Sequence, residues 1–521
     1  MNEKNQNTLL LTEQALANSL DIDARSTEQV IDIIQNNDQD LPQLLKQVQE
    51  QLTLLVNTAV SQIEQGGRII YVGAGTSGRL GYLDAVECLP TYNQGEETII
   101  ALIAGGKQAL HTAVEGAEDD TDLAITDLKN IKLKNTDIVI GLSASGTTPY
   151  VLSALDFAQQ QGCSTWMISN NPLQHSDFSH HYVYLATGPE VVTGSTRMKA
   201  GTALKMFLNC FSSACMIKLG HTFGNLMVDM KATNTKLSKR TLRIIDSLLL
   251  KAPQEPFTQG LKHYILQEKT QTSFADSAKL LTQHKGHLRQ ALSDNLKLHL
   301  DHYSALILDM DGSMLRYHLP IGFSTWAALG WAYNIYDQME LWIEQYKAKK
   351  IVYADIWTLC AQALKDQPIN IAKKSLFCSA GTAPYNRGLQ TALPLFKKHL
   401  KVGILSSGLS MVAESMQNQF HLDFYMANTF NHDGHVFDGT VNLDVPYVDK
   451  HACYGKLIKN HKLKPENIIY VGDSSNDFTI LDEVGFPIFY ITPHNQNLKE
   501  MAQEHGWHLV SDYYDILRLF A

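Results

Sequence analysis

Short apolar runs that end in phosphate-handling loops occur in two separate sets along this chain, and that arrangement restricts it to alternating strand–helix folds. In the first set, Arg68-Ile-Ile-Tyr-Val72 runs into Gly73-Ala-Gly-Thr-Ser-Gly78 and a helical stretch around Leu80–Val86. Asp137-Ile-Val-Ile-Gly-Leu142 runs into Ser143-Ala-Ser-Gly-Thr-Thr148 ahead of a helical stretch over Tyr150–Gln161, and Ile99–Ile103 and Thr165–Ser169 read as further strands. Near Ser304 the pattern restarts. Ala305–Leu308 ends in Asp309-Met-Asp-Gly312, Val402–Leu405 in Ser406, and Ile468–Val471 in Gly472-Asp-Ser-Ser-Asn-Asp477. Strands alternating with helices predict an α/β chain of two doubly wound parallel-sheet domains, with sites at the strand C-terminal ends. The expected division is 1–240 with helices at its N-terminal end, a small helical region over 241–298, and a second domain over 299–521 with a helical cap at about 313–400.

Composition excludes several function classes. The 521 residues are 44% hydrophobic and 18% charged, ordinary for a globular chain of several domains. A net charge of −10 provides no basic footprint, so no nucleic-acid partner is expected. Met1–Asn7 lacks a basic segment followed by an apolar one, and no run of 18 apolar residues occurs, so neither a signal peptide nor a membrane partner is expected. The seven cysteines are odd in number and dispersed without Cys-x-x-Cys, which reads as free thiols in a cytoplasmic protein.

The two sets imply different chemistry. Gly73-x-Gly-x-x-Gly78 has the dinucleotide spacing, but the next strand ends in Ile103-Ala-Gly-Gly106 without the ribose-binding acid, which argues against a nicotinamide cofactor. Gly75, Thr76 and Ser77 at a helix N-terminus instead form an anion site. Ser143, Ser145, Thr147 and Thr148 repeat the device, so the two loops are suited to one phosphate and part of a sugar. Glu87, Glu115 and Glu118 are candidates for an acid/base pair, with solvated helix acids the alternative. In the second set, Asp309, Asp311, Asp473 and Asp477 are strand-end acids suited to Mg²⁺ and to attack on phosphorus. A Ca²⁺ loop starting at Asp309 would need a closing Glu where Pro320 stands. His432-Asp-Gly-His435 reads as a hairpin turn rather than a metal site, and Trp326, Trp331, Tyr333, Tyr336 and Trp342 read as the core of the cap.

Residues 1 to about 295 resemble the N-acetylmuramic acid 6-phosphate etherases, whose sugar-isomerase-type fold is shared with the glucokinase regulatory protein. The resemblance is carried by Tyr71–Gly81, Leu83-Asp-Ala-Val-Glu-Cys88, Val114-Glu-Gly-Ala-Glu-Asp119, Gly188–Thr202 and Phe223–Asp229. It implies metal-free and cofactor-free cleavage of a D-lactyl ether by elimination and hydration. Glu87 would protonate the lactyl oxygen, Glu118 would act as base or water activator with Glu115 as a helper, and Glu190 and Arg197 would line the pocket. Two departures from the family pattern are Leu89-Pro90 in place of Pro-Pro, and Thr147 where Arg is common. Residues 300–521 resemble haloacid-dehalogenase-type phosphatases of the phosphoserine phosphatase branch. That resemblance implies Asp309 as nucleophile, Asp311 as acid/base, Ser406 and a lysine on the phosphoryl group, and Mg²⁺ on Asp309, the Asp311 carbonyl and Asp473, supported by Asp477. The lysine is Lys450 by its distance from Asp473, with Lys456 the alternative. Together the resemblances imply a cytoplasmic homodimer acting on a small-molecule amino-sugar phosphate. A sugar-phosphate-sensing module fused to a phosphatase, and an aldose–ketose isomerase, are the competing readings.

Overall fold

The computed structural model describes residues 9–172, 178–231, 235–248, 260–270, 272–293, 300–317, 319, 323–377 and 383–520. Met1–Thr8, Pro320 and Cys378, on which parts of the sequence reading rest, lie outside them. The chain forms two compact units, each built on a largely parallel sheet.

In the first unit, β1 (Ile69–Gly73), β2 (Ile99–Ile103), β3 (Ile138–Leu142), β4 (Ser164–Ser169) and β5 (His181–Tyr184) form an all-parallel sheet in the order β2-β1-β3-β4-β5. Every residue of β1 and β3 is buried, as a sheet covered on both faces requires. On one face Tyr71 and Ile140 pack with Phe207 and Phe211 of the helix Lys199–Lys218. On the other, Val72 and Val139 pack with Tyr150 and Leu155 of the helix Pro149–Gln160. Lys199–Lys218 is long and apolar enough to cross a membrane by composition; here it carries eleven buried residues and serves as the core helix of this unit. A short antiparallel pair, β6 (Thr222–Phe223) and β7 (Leu226–Met227), follows.

The second unit contains β8 (Ala305–Leu308), β9 (Lys401–Leu409), β10 (Phe424–His432), β11 (Phe437–Asn442), β12 (Ile468–Gly472), β13 (Phe486–Tyr490) and β14 (His508–Val510), in the order β11-β10-β9-β8-β12-β13-β14. Only the β10/β11 pair is antiparallel. Its connection is the expected turn: the Asp433 carboxylate accepts from the N–H groups of His435 and Val436. Between β8 and β9 lies an insertion that includes the helices Thr325–Ala332, Tyr336–Lys347, Tyr353–Leu364 and Ile369–Leu376. Its aromatic residues pack together, Trp326 edge-on to fully buried Trp357 and Trp331 stacked on Tyr336.

By packing, 281–289 belong with the first unit, and 265–280 with the second. The physical tie is Lys269, 1% exposed, whose Nζ lies 2.6 Å from Asp515 Oδ1 and 3.1 Å from Asp512 Oδ2. Asp512 also caps the last helix, accepting from Tyr514 and Asp515 N–H. Removing one partner of a buried ion pair strands the other charge. Lys269→Met is therefore expected to destabilise the second unit by about 3–5 kcal/mol. Urea unfolding followed by tryptophan fluorescence reads this well, because Trp166 alone of the six tryptophans is in the first unit. A loss below about 1 kcal/mol would contradict the tie.

Candidate active sites

The first unit has its topological switch point between β1 and β3, the place where ligands bind in open parallel sheets. Gly73 pairs with Leu142 in register, so the two sequence-predicted loops leave adjacent strands side by side. The first turns directly into the helix Gly75–Tyr92. A Cβ on Gly73 would lie 2.8 Å from the Gly78 backbone, so only glycine permits this close approach, and Gly75 takes a φ of +52°. The helix start has no side-chain cap, and the half-buried Thr76 and Ser77 hydroxyls bond to no described residue. Donors are thus left for an anion.

The second loop is internally braced. Ser143, 3% exposed, shares its hydroxyl with Thr148 Oγ1 at 2.8 Å and Ser145 Oγ at 3.2 Å, and accepts from Gly146 N–H. Ser145 Oγ in turn accepts from the N–H and the hydroxyl of exposed Thr147.

The carboxylates are dispersed. Glu87 is exposed on the helix Gly75–Tyr92 among the exposed apolar side chains Leu83, Val86 and Leu89. Glu115 and Glu118 are exposed in the loop after β2, where Gly116 has a φ of +72°. Among the described residues no hydrogen bond or ion pair links Glu87 to either. Arg197 is exposed. Glu190 lies in the segment Gly188–Thr202 ahead of the core helix. It is 1% exposed, and its two oxygens accept from Lys199 and Ala200 N–H at 3.0 Å each, capping the core helix. Sequence reasoning also missed Asp84, one turn before Glu87. It is 4% exposed and accepts from Tyr71 Oη at 2.9 Å and Ser212 Oγ at 3.1 Å, fixing the Glu87 helix against sheet and core helix.

The second unit gathers its expected acids closely. Carboxylate oxygens of Asp309, Asp473 and Asp477 lie within 4.8 Å of one another, and all three residues are buried. Lys450, fully buried at its side chain, has Nζ 3.0 Å from Asp309 Oδ1 and 2.6 Å from Asp477 Oδ1. Lys456 is exposed on the outer side of the same helix, so geometry selects Lys450. Asp477 also accepts from Tyr470 Oη and from Asp473 and Ser474 N–H, so it braces the lysine and the loop. Ser406, 1% exposed, lies against the Asp309 carboxylate. Asn495, unsignalled in sequence, donates to the Asp473 carbonyl at 2.7 Å.

Asp311 points elsewhere. Its carboxylate accepts from Thr325 N–H at 2.8 Å and Thr325 Oγ1 at 2.7 Å. Burial pushes its pKa up to about 7, although the Thr325 bonds pull the other way. It is not part of the three-carboxylate group. Gly312 makes room for that group, since a Cβ there would lie 2.0 Å from Asp473 Oδ2. Asp473 is raised well above the usual carboxylate range, first by burial and then by the charges of Asp309 and Asp477. One Asp473 oxygen is buried without a partner. Three carboxylates facing one lysine, one with an orphaned oxygen, fit a hard divalent cation such as Mg²⁺.

Residues 43–159 match the glucokinase regulatory protein N-terminal SIS domain. The N-acetylmuramic acid 6-phosphate etherase of Lactobacillus acidophilus is 44% identical over 296 residues, 55% of this chain and 98% of the relative. Those of Staphylococcus epidermidis and Escherichia coli are 41% and 43% identical, covering 54% of this chain and 99% and 97% of theirs. For the C-terminal half, similar solved structures include a HAD family hydrolase of Salmonella enterica (21% identity, TM-score 0.35, 44% of this chain and 73% of that one). Another is a substrate-bound phosphoserine phosphatase (18% identity, TM-score 0.33, 42% and 99%). Through its N-terminal half, this chain belongs to the N-acetylmuramic acid 6-phosphate etherase family.

Proposed function

We propose that the chain is a bifunctional enzyme of amino-sugar recovery. The first unit would convert N-acetylmuramic acid 6-phosphate and water to N-acetylglucosamine 6-phosphate and D-lactate, and the second would be a Mg²⁺-dependent phosphomonoesterase. Family membership carries the first half of this reading, and the Asp309–Lys450–Asp477–Asp473 constellation the second.

In the first reaction the two hydroxyl loops hold the sugar phosphate as a handle. A base, Glu118, takes the C2 proton while Glu87 protonates the departing lactyl oxygen, and water then adds across the C2–C3 double bond, its hydroxyl to C3 with a proton returned to C2. Glu115 is kept as a helper. Exposed Glu87 within the apolar stripe Leu83, Val86 and Leu89 supports a homodimer packed over this helix face, because the stripe is apolar surface that a second copy would cover.

In the second, Asp309 attacks phosphorus and Asp311 gives its proton to the leaving oxygen. Asp311 then takes a proton from the water that hydrolyses the aspartyl phosphate. Ser406 and Lys450 orient the phosphoryl group, and Lys450 holds the Asp309 carboxylate in line. Asp309, the Asp311 carbonyl and Asp473 would hold Mg²⁺, with Asp477 supporting the site; the ion supplies charge neutralisation at the phosphoryl oxygens.

Paired variants of the full chain separate the two activities. Glu87→Gln is expected to lower lactate release about a hundred- to ten-thousandfold and leave phosphomonoester hydrolysis intact. Asp309→Asn does the reverse. Unchanged lactate release by Glu87→Gln, or phosphate release that persists in chelator, would contradict the assignment. The dimer is checked by light scattering: Val86→Asp should yield monomers with depressed lactate release, and a dimer that survives the charge would refute this interface. Lactate-free, tight binding of the sugar phosphate by the unaltered protein would instead favour the sensing reading.

A further inference from the structure

The N-terminal turn Leu11–Glu13 is held far more firmly than a chain end needs. Thr12 is 1% exposed, and it meets Asn171, 0% exposed, across 159 residues of sequence. The pairing is reciprocal: Thr12 N–H donates to Asn171 Oδ1 at 3.4 Å, and Asn171 Nδ2 donates to Thr12 Oγ1 at 2.9 Å. The same Nδ2 donates to the Ala144 carbonyl at 2.9 Å, inside the braced Ser143–Thr148 loop. Asn171 is a hub in other ways too. Its N–H donates to Ser169 Oγ, which itself donates to Ala144 O, and its carbonyl accepts from Tyr182 Oη at 2.7 Å.

Gly146, the loop's apex, sits directly on this hub. A Cβ there would lie 2.8 Å from Ser169 Oγ and 3.0 Å from Tyr182 Oη. The turn also reaches the segment Gly188–Thr202, since a Cβ on Gly194 would lie 3.0 Å from Glu13 Oε2. The turn therefore spans two parts of the sugar-phosphate site that are remote in sequence.

We infer that the N-terminal turn is a working part of the sugar-phosphate site and that Thr12 is a positioning residue for the Ser143–Thr148 loop, acting through Asn171. Thr12 does not touch the substrate. Its two bonds fix the Asn171 amide, and the amide fixes the loop carbonyl from which the hydroxyl ring hangs. The inference rests on the reading of that loop as the phosphate cradle.

The test uses the full chain with Thr12→Val, which keeps the shape and removes the hydroxyl, and Thr12→Ser, which restores it. Thr12→Val is expected to raise KM for N-acetylmuramic acid 6-phosphate about tenfold, with kcat within about twofold. The concentration of inorganic phosphate that inhibits lactate release should rise by a similar factor. Thr12→Ser should return both to the unaltered values, with phosphomonoesterase activity constant throughout. Should Thr12→Val unfold the unit, Thr12→Ala carries the same expectation, because it retains the backbone bond to Asn171. Unchanged KM and phosphate inhibition in a folded variant, or failure of Thr12→Ser to restore them, would overturn the role of Thr12. Absence of lactate from the unaltered protein would overturn the etherase reading instead. In that case phosphate titration calorimetry in chelator, on an Asp309→Asn background, still reads the loop.

Discussion

A parallel sheet buried on both faces leaves room for polar chemistry only at the ends of its strands, and both units are organised by that constraint. The same pentapeptide, Ile-Ile-Tyr-Val-Gly, forms β1 and β12. All five residues are buried in each strand, and in each the tyrosine hydroxyl bonds an aspartate carried by the chain that follows: Tyr71 to Asp84, Tyr470 to Asp477. The tyrosine couples the sheet interior to the element that leaves the strand end. In the first unit that element presents a helix N-terminus, and in the second it presents a carboxylate loop.

The balance of charge at each strand end separates the two chemistries. Around the switch point of the first unit, hydroxyls and N–H groups predominate, with no acid bonded to either loop. Such a site favours an anion. The second unit concentrates three buried carboxylates against one lysine. Three carboxylates so close together disfavour a bare anion unless a cation neutralises them.

Local signals made β1–β4, β8, β9 and β12, both hydroxyl loops and the Asp309, Ser406 and Asp473 positions legible in the sequence, because strand-then-loop patterns are local; β5, β13 and β14 end in no such loop and were not read. The helix caps and long-range ties were not. The bonds from the backbone N–H groups of Lys199 and Ala200 to Glu190, nine and ten residues away, carry no sequence signal. Lys450 and Lys456 lie on one helix, and only the packing of that helix against β8 and β12 reveals which is buried. Thr325, Asn495, Lys269 and Thr12 carry no motif, since their partners are 14 to 246 residues away. Glu87 and Glu118 were legible as residues, and both are exposed.

The central claim is that the first site keeps the phosphate and the second removes it. ³¹P NMR of the full-length protein acting on N-acetylmuramic acid 6-phosphate, with lactate assayed in parallel, tests this directly when run first in chelator and then with excess Mg²⁺. The account predicts stoichiometric lactate in chelator with the monoester resonance retained, and inorganic phosphate, where the second site accepts the sugar, only after Mg²⁺ is added. Inorganic phosphate released in step with lactate in chelator, or no lactate under either condition, would contradict it.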